Sequence, residues 1–341
     1  MSAITKPRSL WPFAVWLVLF YTGWTGLVFF GGYLETVVEH WPMSVAMAAG
    51  SYVAGSTPMG GGTIGFPVLV LMLDLPATLG RDFSFAIQSV GMTSASIYIF
   101  CSRKQLEWPM LRAALAGALL GTPLGIVYVA PLTSDLFIKL LFASMWCSFG
   151  LLHLRRINEF TSYEGMTPHD VAFDHKVGFG VGLLGSLCIA SITGVGVDLL
   201  IYMVLVLWCH ADLKIAIPTS VVLMAFTSLV GISVKLILGD LQPGSFENWL
   251  AAAPVVAIGA PFGVVVMSRI GRRATLIVVS LLCVTQFAWT LVHERSELNL
   301  WNGSAALLAV FVFLLVFQDM YRHGNRLARR KRQNATAQRQ D

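Results

Sequence analysis

The chain has 341 residues, 56% hydrophobic and only 12% charged, with a net charge of +5. A soluble domain carries about 25% charged residues because its surface faces water, so a soluble enzyme or scaffold is excluded. The positive charge lies in short loops and in a tail from Arg322 to Arg339 after the last apolar run. That is the pattern of cytoplasmic loops in membrane proteins, and no nucleic-acid partner is expected.

A hydrocarbon core of about 30 Å takes about 20 helical residues to cross. Apolar runs cover 11–32, 43–73, 83–101, 108–130, 134–153, 177–208, 213–238, 247–268, 273–292 and 299–320. Lys6 and Arg8 before the first run resemble the start of a signal peptide. The run is too long for one, with no small-residue cleavage site after it, and it reads as a retained span. The stretch 154–176, with charges of both signs, reads as a solvated linker between two halves. Five cysteines without paired spacing argue against a disulfide framework or a thiolate metal site; no metal and no cofactor is expected.

Two runs, 43–73 and 177–208, are too long for one span and too short for two. Each is broken by small residues: Ser56-Thr57-Pro58-Met59-Gly60-Gly61-Gly62-Thr63 in the first, Ser191-Ile192-Thr193-Gly194-Val195-Gly196-Val197-Asp198 in the second. Glycine and proline in such clusters disfavour continuous helix. Lys6 and Arg8, then Arg103 and Lys104, require 43–73 to begin and end outside. Arg155 and Arg156, then Arg269, Arg272 and Arg273, require 177–208 to begin and end inside.

The predicted fold is therefore an all-α polytopic membrane protein with two inverted-topology repeats. Each repeat is a broken re-entrant helical hairpin plus three transmembrane helices, and an extra helix stands at each end. The predicted parts are 1–42 (first helix and loop), 43–153 (first repeat), 154–176 (cytoplasmic linker), 177–292 (second repeat) and 293–341 (last helix and basic tail), with both termini cytoplasmic. At one constant offset Thr57 matches Thr193, Gly60 matches Gly196 and Ser84 matches Ser220.

Broken helix is tolerated at membrane depth only where protein or a water-filled cavity satisfies the backbone. In secondary transporters such breaks hold substrate and ions, and half-helix N-termini favour anions. The expected substrate-binding set is Thr57, Gly60, Gly61, Gly62, Arg81, Ser84, Gln88, Thr193, Gly194, Gly196, Thr219 and Ser220. Ser84, Gln88, Ser89 and Thr93 lie on neighbouring faces of one span, as do Thr219, Ser220, Thr227 and Ser228 on another; the alternative role for these hydroxyls is helix–helix adhesion. Arg81 and Asp82 read as an interfacial pair with Asp82 capping the span, or with Arg81 turned inward as an anion ligand. Lys139 and Lys235 read as snorkelling. Asp74 and His210 occupy equivalent loops and read as gate positions. Asp198 is the assigned ion-coupling residue, an acid at a depth where acids are expensive. Proton carriage, cation binding and helix capping are its three open roles.

The glycine breaks, with Phe66-Pro67, Ser84 and Pro218-Thr219-Ser220, resemble the sulfite exporter TauE/SafE family, or toluene-sulfonate uptake permease group, over roughly residues 45–290. The resemblance implies a bacterial inner-membrane carrier for sulfite, a sulfonate or a similar small anion, surrounded by the lipid bilayer; the residue Asp198, not the resemblance, suggests protons as the coupling ion. The second half departs from the family's glycine triplet at Val195, Val197 and Asp198. A channel-like anion pore is the alternative. An enzyme is not expected, because no nucleophile–base pair or metal motif lies at depth, and no phosphate-binding loop indicates ATP hydrolysis.

Overall fold

The apolar runs all fold as helices, as lipid demands of a backbone with no other partners. The structure is a computed structural model, and it describes residues 9–167, 170–270 and 272–337. Helix α1 (Trp11–Phe30) and the short α2 (Leu34–Glu39) precede a hairpin. Its long arm is α3 (Trp41–Ser56), and its short arm is α4 (Gly62–Pro67) with a π turn (Val68–Met72). Then come α5 (Ala77–Cys101), α6 (Trp108–Leu124, extended by turns to Leu132) and α7 (Asp135–Phe160). The second half repeats the order. Its long arm is α8 (Val171–Gly185) with a π turn and α9 (Ser191–Thr193); its short arm is α10 (Val197–Met203) with a π turn (Val204–Trp208). Helices α11 (Leu213–Leu238), α12 (Ser245–Ile270), α13 (Arg272–His293) and α14 (Leu300–Ala337) complete it. Among the described residues nine helices are long and apolar enough to cross a membrane, and Gly62–Met72 and Val197–Trp208 are shorter apolar ones. The chain is an all-α polytopic membrane protein.

The two halves keep one register. The π turn Val204–Trp208 lies 136 residues after Val68–Met72, and α11 opens 136 residues after α5. Asp74 and His210, also 136 apart, both take left-handed φ values, +56° and +48°, uncommon outside glycine. Both broken segments fold back on themselves. In the first, a Cβ on Gly50 would stand 3.2 Å from Ile64 Cβ, and one on Gly65 3.0 Å from Met47 Sδ. In the second, Thr167 N donates to Cys209 O (2.9 Å) and Asp212 N to Gly165 O (2.6 Å), joining the two ends of the hairpin.

Glycine seams knit the halves together. A Cβ on Gly55 would strike the Ala260 carbonyl, which ties α3 to α12; one on Gly182 would strike that of Ala114, and one on Gly117 that of Phe179, which tie α8 to α6. Small residues let membrane helices approach to backbone contact. Each seam thus joins the long arm of one half to a long helix of the other.

Several expectations are corrected. Helix α5 starts at Ala77 rather than 83, because Asp135 Oδ1 on α7 accepts from Ala77 N at 2.7 Å. Arg81 and Asp82 therefore lie inside the helix and are buried, and Asp82 does not cap it. Lys235 does not snorkel: it is 1% exposed and pairs with Asp82 Oδ2 (3.2 Å) and Asp240 Oδ2 (2.6 Å). Asp82 also accepts from Arg81 Nε (2.9 Å) and Gln242 N (3.0 Å). Lys139 pairs with Glu294 (2.9 Å) and Asp135 (3.4 Å). Charges withdrawn from water need such partners. The helices reach into the 154–176 stretch from both sides, to Phe160 and from Val171, and α14 continues past 320 to Ala337. His153, placed by sequence at a span end, lies inside α7, buried, with Nε2 3.0 Å from Tyr202 Oη. Lys6, Arg8, and the side chains of Arg269, Arg272 and the tail beyond residue 327, which carry part of the orientation argument, lie outside the described residues.

Candidate transport site

At the first break α3 stops where Thr57 turns extended (φ −138°, ψ 166°) before Pro58, a residue with no N–H to continue the helix. The Thr57 hydroxyl donates to Val53 O (2.8 Å). Gly60 takes a positive φ of +42°, and Thr63 N and Ile64 N then restart the helix onto Gly60 O and Gly61 O. At the second break Gly194 (φ +79°) and Gly196 (φ +106°) need the freedom that lacking a Cβ allows. Thr193 Oγ1 is shared between Ile189 O (3.0 Å) and Val195 O (2.9 Å). Asp198 is the second residue of α10 rather than its N-cap, a position held by Gly196. Its Oδ1 nevertheless accepts from Gly196 N (3.1 Å) and Leu199 N (3.0 Å), so the side chain serves the helix start from within.

The breaks meet across α5. A Cβ on Gly62 would lie 2.5 Å from Val195 Cγ1 and 2.8 Å from Ser84 Oγ. One on Gly194 would strike the Arg81 carbonyl and lie 2.7 Å from Ser84 Cβ, and one on Gly60 would strike Gln88 Oε1 and lie 3.2 Å from Asp198 Oδ2. Ser84 Oγ donates to Gly80 O (2.7 Å). Gln88 Nε2 donates both to Ser84 O (3.0 Å) and, across the junction, to Gly194 O (3.1 Å). Gln88 Oε1 and Asp198 Oδ2 are buried without a partner. Beside Gln88 a cavity of about 10 Å³, bordered by Met47, Ser51, Gly61 and Val256, is the size of one water.

Helix α7 covers both breaks. Trp146 Nε1 donates to Thr63 Oγ1 (3.1 Å), and its ring stacks on Phe142, which stacks on Phe66 of the short arm. Met145 Cε borders Gly196. Sequence reasoning missed Trp146; its signal is an indole inside an apolar run, whose N–H must find an acceptor when buried. Met59 Sδ lies 3.8 Å from Cys283 Sγ of α13, a packing contact.

The described contacts thus bring together Gly60, Gly62, Ser84, Gln88, Gly194 and Gly196 from the expected substrate-binding set, with Asp198, the expected ion-coupling residue, beside them. Gly61 faces its own long arm at Met47. The Arg81 guanidinium is turned to Asp82, and its carbonyl alone borders the junction. Ser220 Oγ donates to Ile217 O (2.8 Å) in its own helix. Thr219 Oγ1 donates to Ile215 O (2.7 Å) and accepts from Glu107 N (3.0 Å), anchoring the start of α6 to α11. Thr219→Val is accordingly expected to lower stability by about 1 kcal/mol, read from unfolding in detergent.

A family model described as sulfite exporter TauE/SafE matches residues 43–288. The chain belongs to this family. The TauE/SafE match opens at α3 and closes within α13, so both breaks and α5, α7 and α11 lie inside it, and α1 and α14 outside. Membership implies a multi-pass membrane transporter of sulfite-related anions. Comparisons with curated proteins and with solved structures find no match.

Proposed function

We propose that this TauE/SafE protein is a secondary transporter that carries a small sulfur-containing oxyanion, sulfite or a sulfonate, across the bacterial inner membrane by alternating access. The binding site is where the two breaks meet, and both termini are cytoplasmic. The observation that carries this reading is the junction itself, in which Gly60 and Gly62 of one hairpin and Gly194 of the other converge on Ser84 and Gln88. The short arms begin there, at Gly62 and Val197. The first N–H groups of a helix have no partner within it, and together with the helix dipole they attract anions. Ser84 Oγ and Gln88 Nε2 of α5, which here donate to Gly80 O and to Ser84 O and Gly194 O, become donors for an oxyanion once the hairpins part. A cavity for about one water beside Gln88 is too small for such a cargo. Binding therefore requires the hairpins to part, which favours a carrier over an open pore. Arg103, Arg155, Arg156 and Arg273 support the orientation.

Purified protein in liposomes, offered labelled sulfite, sulfate, thiosulfate, taurine and sulfoacetate in turn, tests the reading. Saturable uptake that exchanges with unlabelled substrate is expected for at least one of them. Ser84→Ala and Gln88→Ala should each lower it roughly 10- to 100-fold, the worth of a hydrogen bond to a charged ligand. Folded protein that takes up none of these anions refutes the cargo, and non-saturating flux refutes the carrier.

A further inference from the structure

The Gln88 amide has only one workable orientation. Its nitrogen stands between Ser84 O and Gly194 O, at 3.0 and 3.1 Å. Both are acceptors, so only the NH₂ end fits there, and Oε1 is turned toward Gly60. Asp198 Oδ2 borders the same space, while Oδ1 is already bonded to two backbone N–H groups. Two buried acceptor oxygens thus border the space that a Cβ on Gly60 would occupy, each without a partner in the protein. In a water-poor site that arrangement is unfavourable unless a hydrogen lies between them. With Oδ1 occupied, Oδ2 is the oxygen that carries it. A metal ion is a poorer fit, since hard cations gather about six oxygens. Here two are offered, and no cluster of three metal-ligating side chains exists among the described residues.

The pair also marks where the halves differ. The 136-residue offset that superposes the π turns sets Asp198 opposite Gly62 and Gln88 opposite Met224. Each half contributes one member and has an apolar or bare residue at the other position, so the pair occurs once, across the junction. Other charges are held elsewhere. On α5, Arg81 and Asp82 pair with each other, and Asp82 also with Lys235 of α11. On α7 and α10, His153 and Tyr202 bond to one another. Cys283 of α13 contacts Met59, and Tyr52 of α3 contacts Thr275. Lys214 opens α11, and Asp174, His175 and Lys176 lie in the first turns of α8. The arm Gly62–Met72 has no ionisable residue.

The geometry points to a proton-operated switch: Asp198 is protonated in this closed conformation, its Oδ2–H donates to Gln88 Oε1, and Gln88 relays that state to Gly194. Loss of the proton to water leaves a carboxylate facing an amide oxygen. The amide must then rotate to offer its NH₂ to Asp198, which turns Oε1 against Ser84 O and Gly194 O and breaks the bridge between α5 and the second hairpin. The switch deepens the transport reading, on which its purpose rests, by giving the carrier a coupling proton.

The test is infrared spectroscopy of the protein in lipid nanodiscs at neutral pH, free of substrate and sodium, in H₂O and D₂O. A carboxylic-acid C=O band sensitive to deuteration is expected, absent in Asp198→Asn and shifted to higher frequency in Gln88→Met, where its acceptor is gone. Asparagine keeps the acceptor and replaces the O–H donor by N–H, so this variant should fold with an unreduced melting temperature. Wild-type and Asp198→Asn spectra that coincide overturn the proposal, and so does an unshifted band in Gln88→Met. The measurement uses no cargo, so failure of the sulfur-anion assay and failure of the switch are distinguishable.

Discussion

Asp82→Ala is expected to destabilise the protein by about 3–5 kcal/mol, the usual loss when one partner of a buried ion pair is removed. Asp82 is fully buried and receives Arg81 Nε, Lys235 Nζ and Gln242 N. Without it the Arg81 side chain loses the carboxylate that holds it, and Lys235, 1% exposed, keeps only Asp240, whose side chain is 62% exposed. The network also joins α5 of the first half to the end of α11 and the turn after it in the second, so its loss should loosen the contact between halves. Chemical unfolding in detergent micelles measures the effect. In Asp82→Ala combined with Lys235→Met the two losses should fall short of additive by about 1–3 kcal/mol, as for residues in direct contact. Full additivity would mean that the two side chains act independently, against the geometry.

The second large effect is expected at the seam of α6 and α8. A Cβ on Gly182 would strike the Ala114 carbonyl, and a backbone cannot move aside as a flexible side chain can. Gly182→Leu should therefore destabilise by about 3 kcal/mol, the upper end of the usual range for overpacking, or prevent stable insertion. Gly180 provides the control. It lies on the same helix with nothing within 4 Å of its would-be Cβ, and leucine is the better helix former by up to about 1 kcal/mol. Gly180→Leu should be neutral or mildly stabilising in the same unfolding assay. Equal losses in the two variants would show that leucine in α8, and not the seam, is at fault.

The helices were legible in the sequence because lipid requires long apolar runs, and the breaks because Pro58 and the glycines at 60–62, 194 and 196 interrupt them. That both broken runs turn back was expected from basic residues counted across the intervening spans, Lys6, Arg8, Arg103 and Lys104 for the first and Arg155, Arg156 and Arg273 for the second. What escaped depends on contacts across long sequence separations. Helix α5 begins early because its first N–H is satisfied by Asp135, 58 residues on. A lysine at the end of a span reads alike whether it reaches for water, as expected of Lys235, or for a buried carboxylate, as found. Within the site, Ser84, Gln88 and Asp198 stood out as polar residues in apolar surroundings. That the Gln88 amide reaches Gly194 depends on a bond spanning 106 residues, which only the assembled halves create. Trp146 was passed over because a single aromatic residue is unexceptional in a membrane helix until its N–H is followed to Thr63.

The crossed glycine seams set a schedule for biosynthesis. The long arm that carries Gly55 finds its backbone partner at Ala260, about 200 residues later, which at 5–20 residues per second is a wait of roughly 10–40 s. Throughout that interval the first hairpin lacks the α12 backbone that packs on Gly55, and for the first part of it the second-half residues that its break meets, Val195 and Asp198. The second hairpin has no such delay, because α6, its partner, precedes it. A nascent chain halted after α7 or after α8 should therefore need shelter for its first hairpin from an insertase or chaperone until α12 emerges, whereas the seam of the second hairpin closes as soon as α8 meets α6.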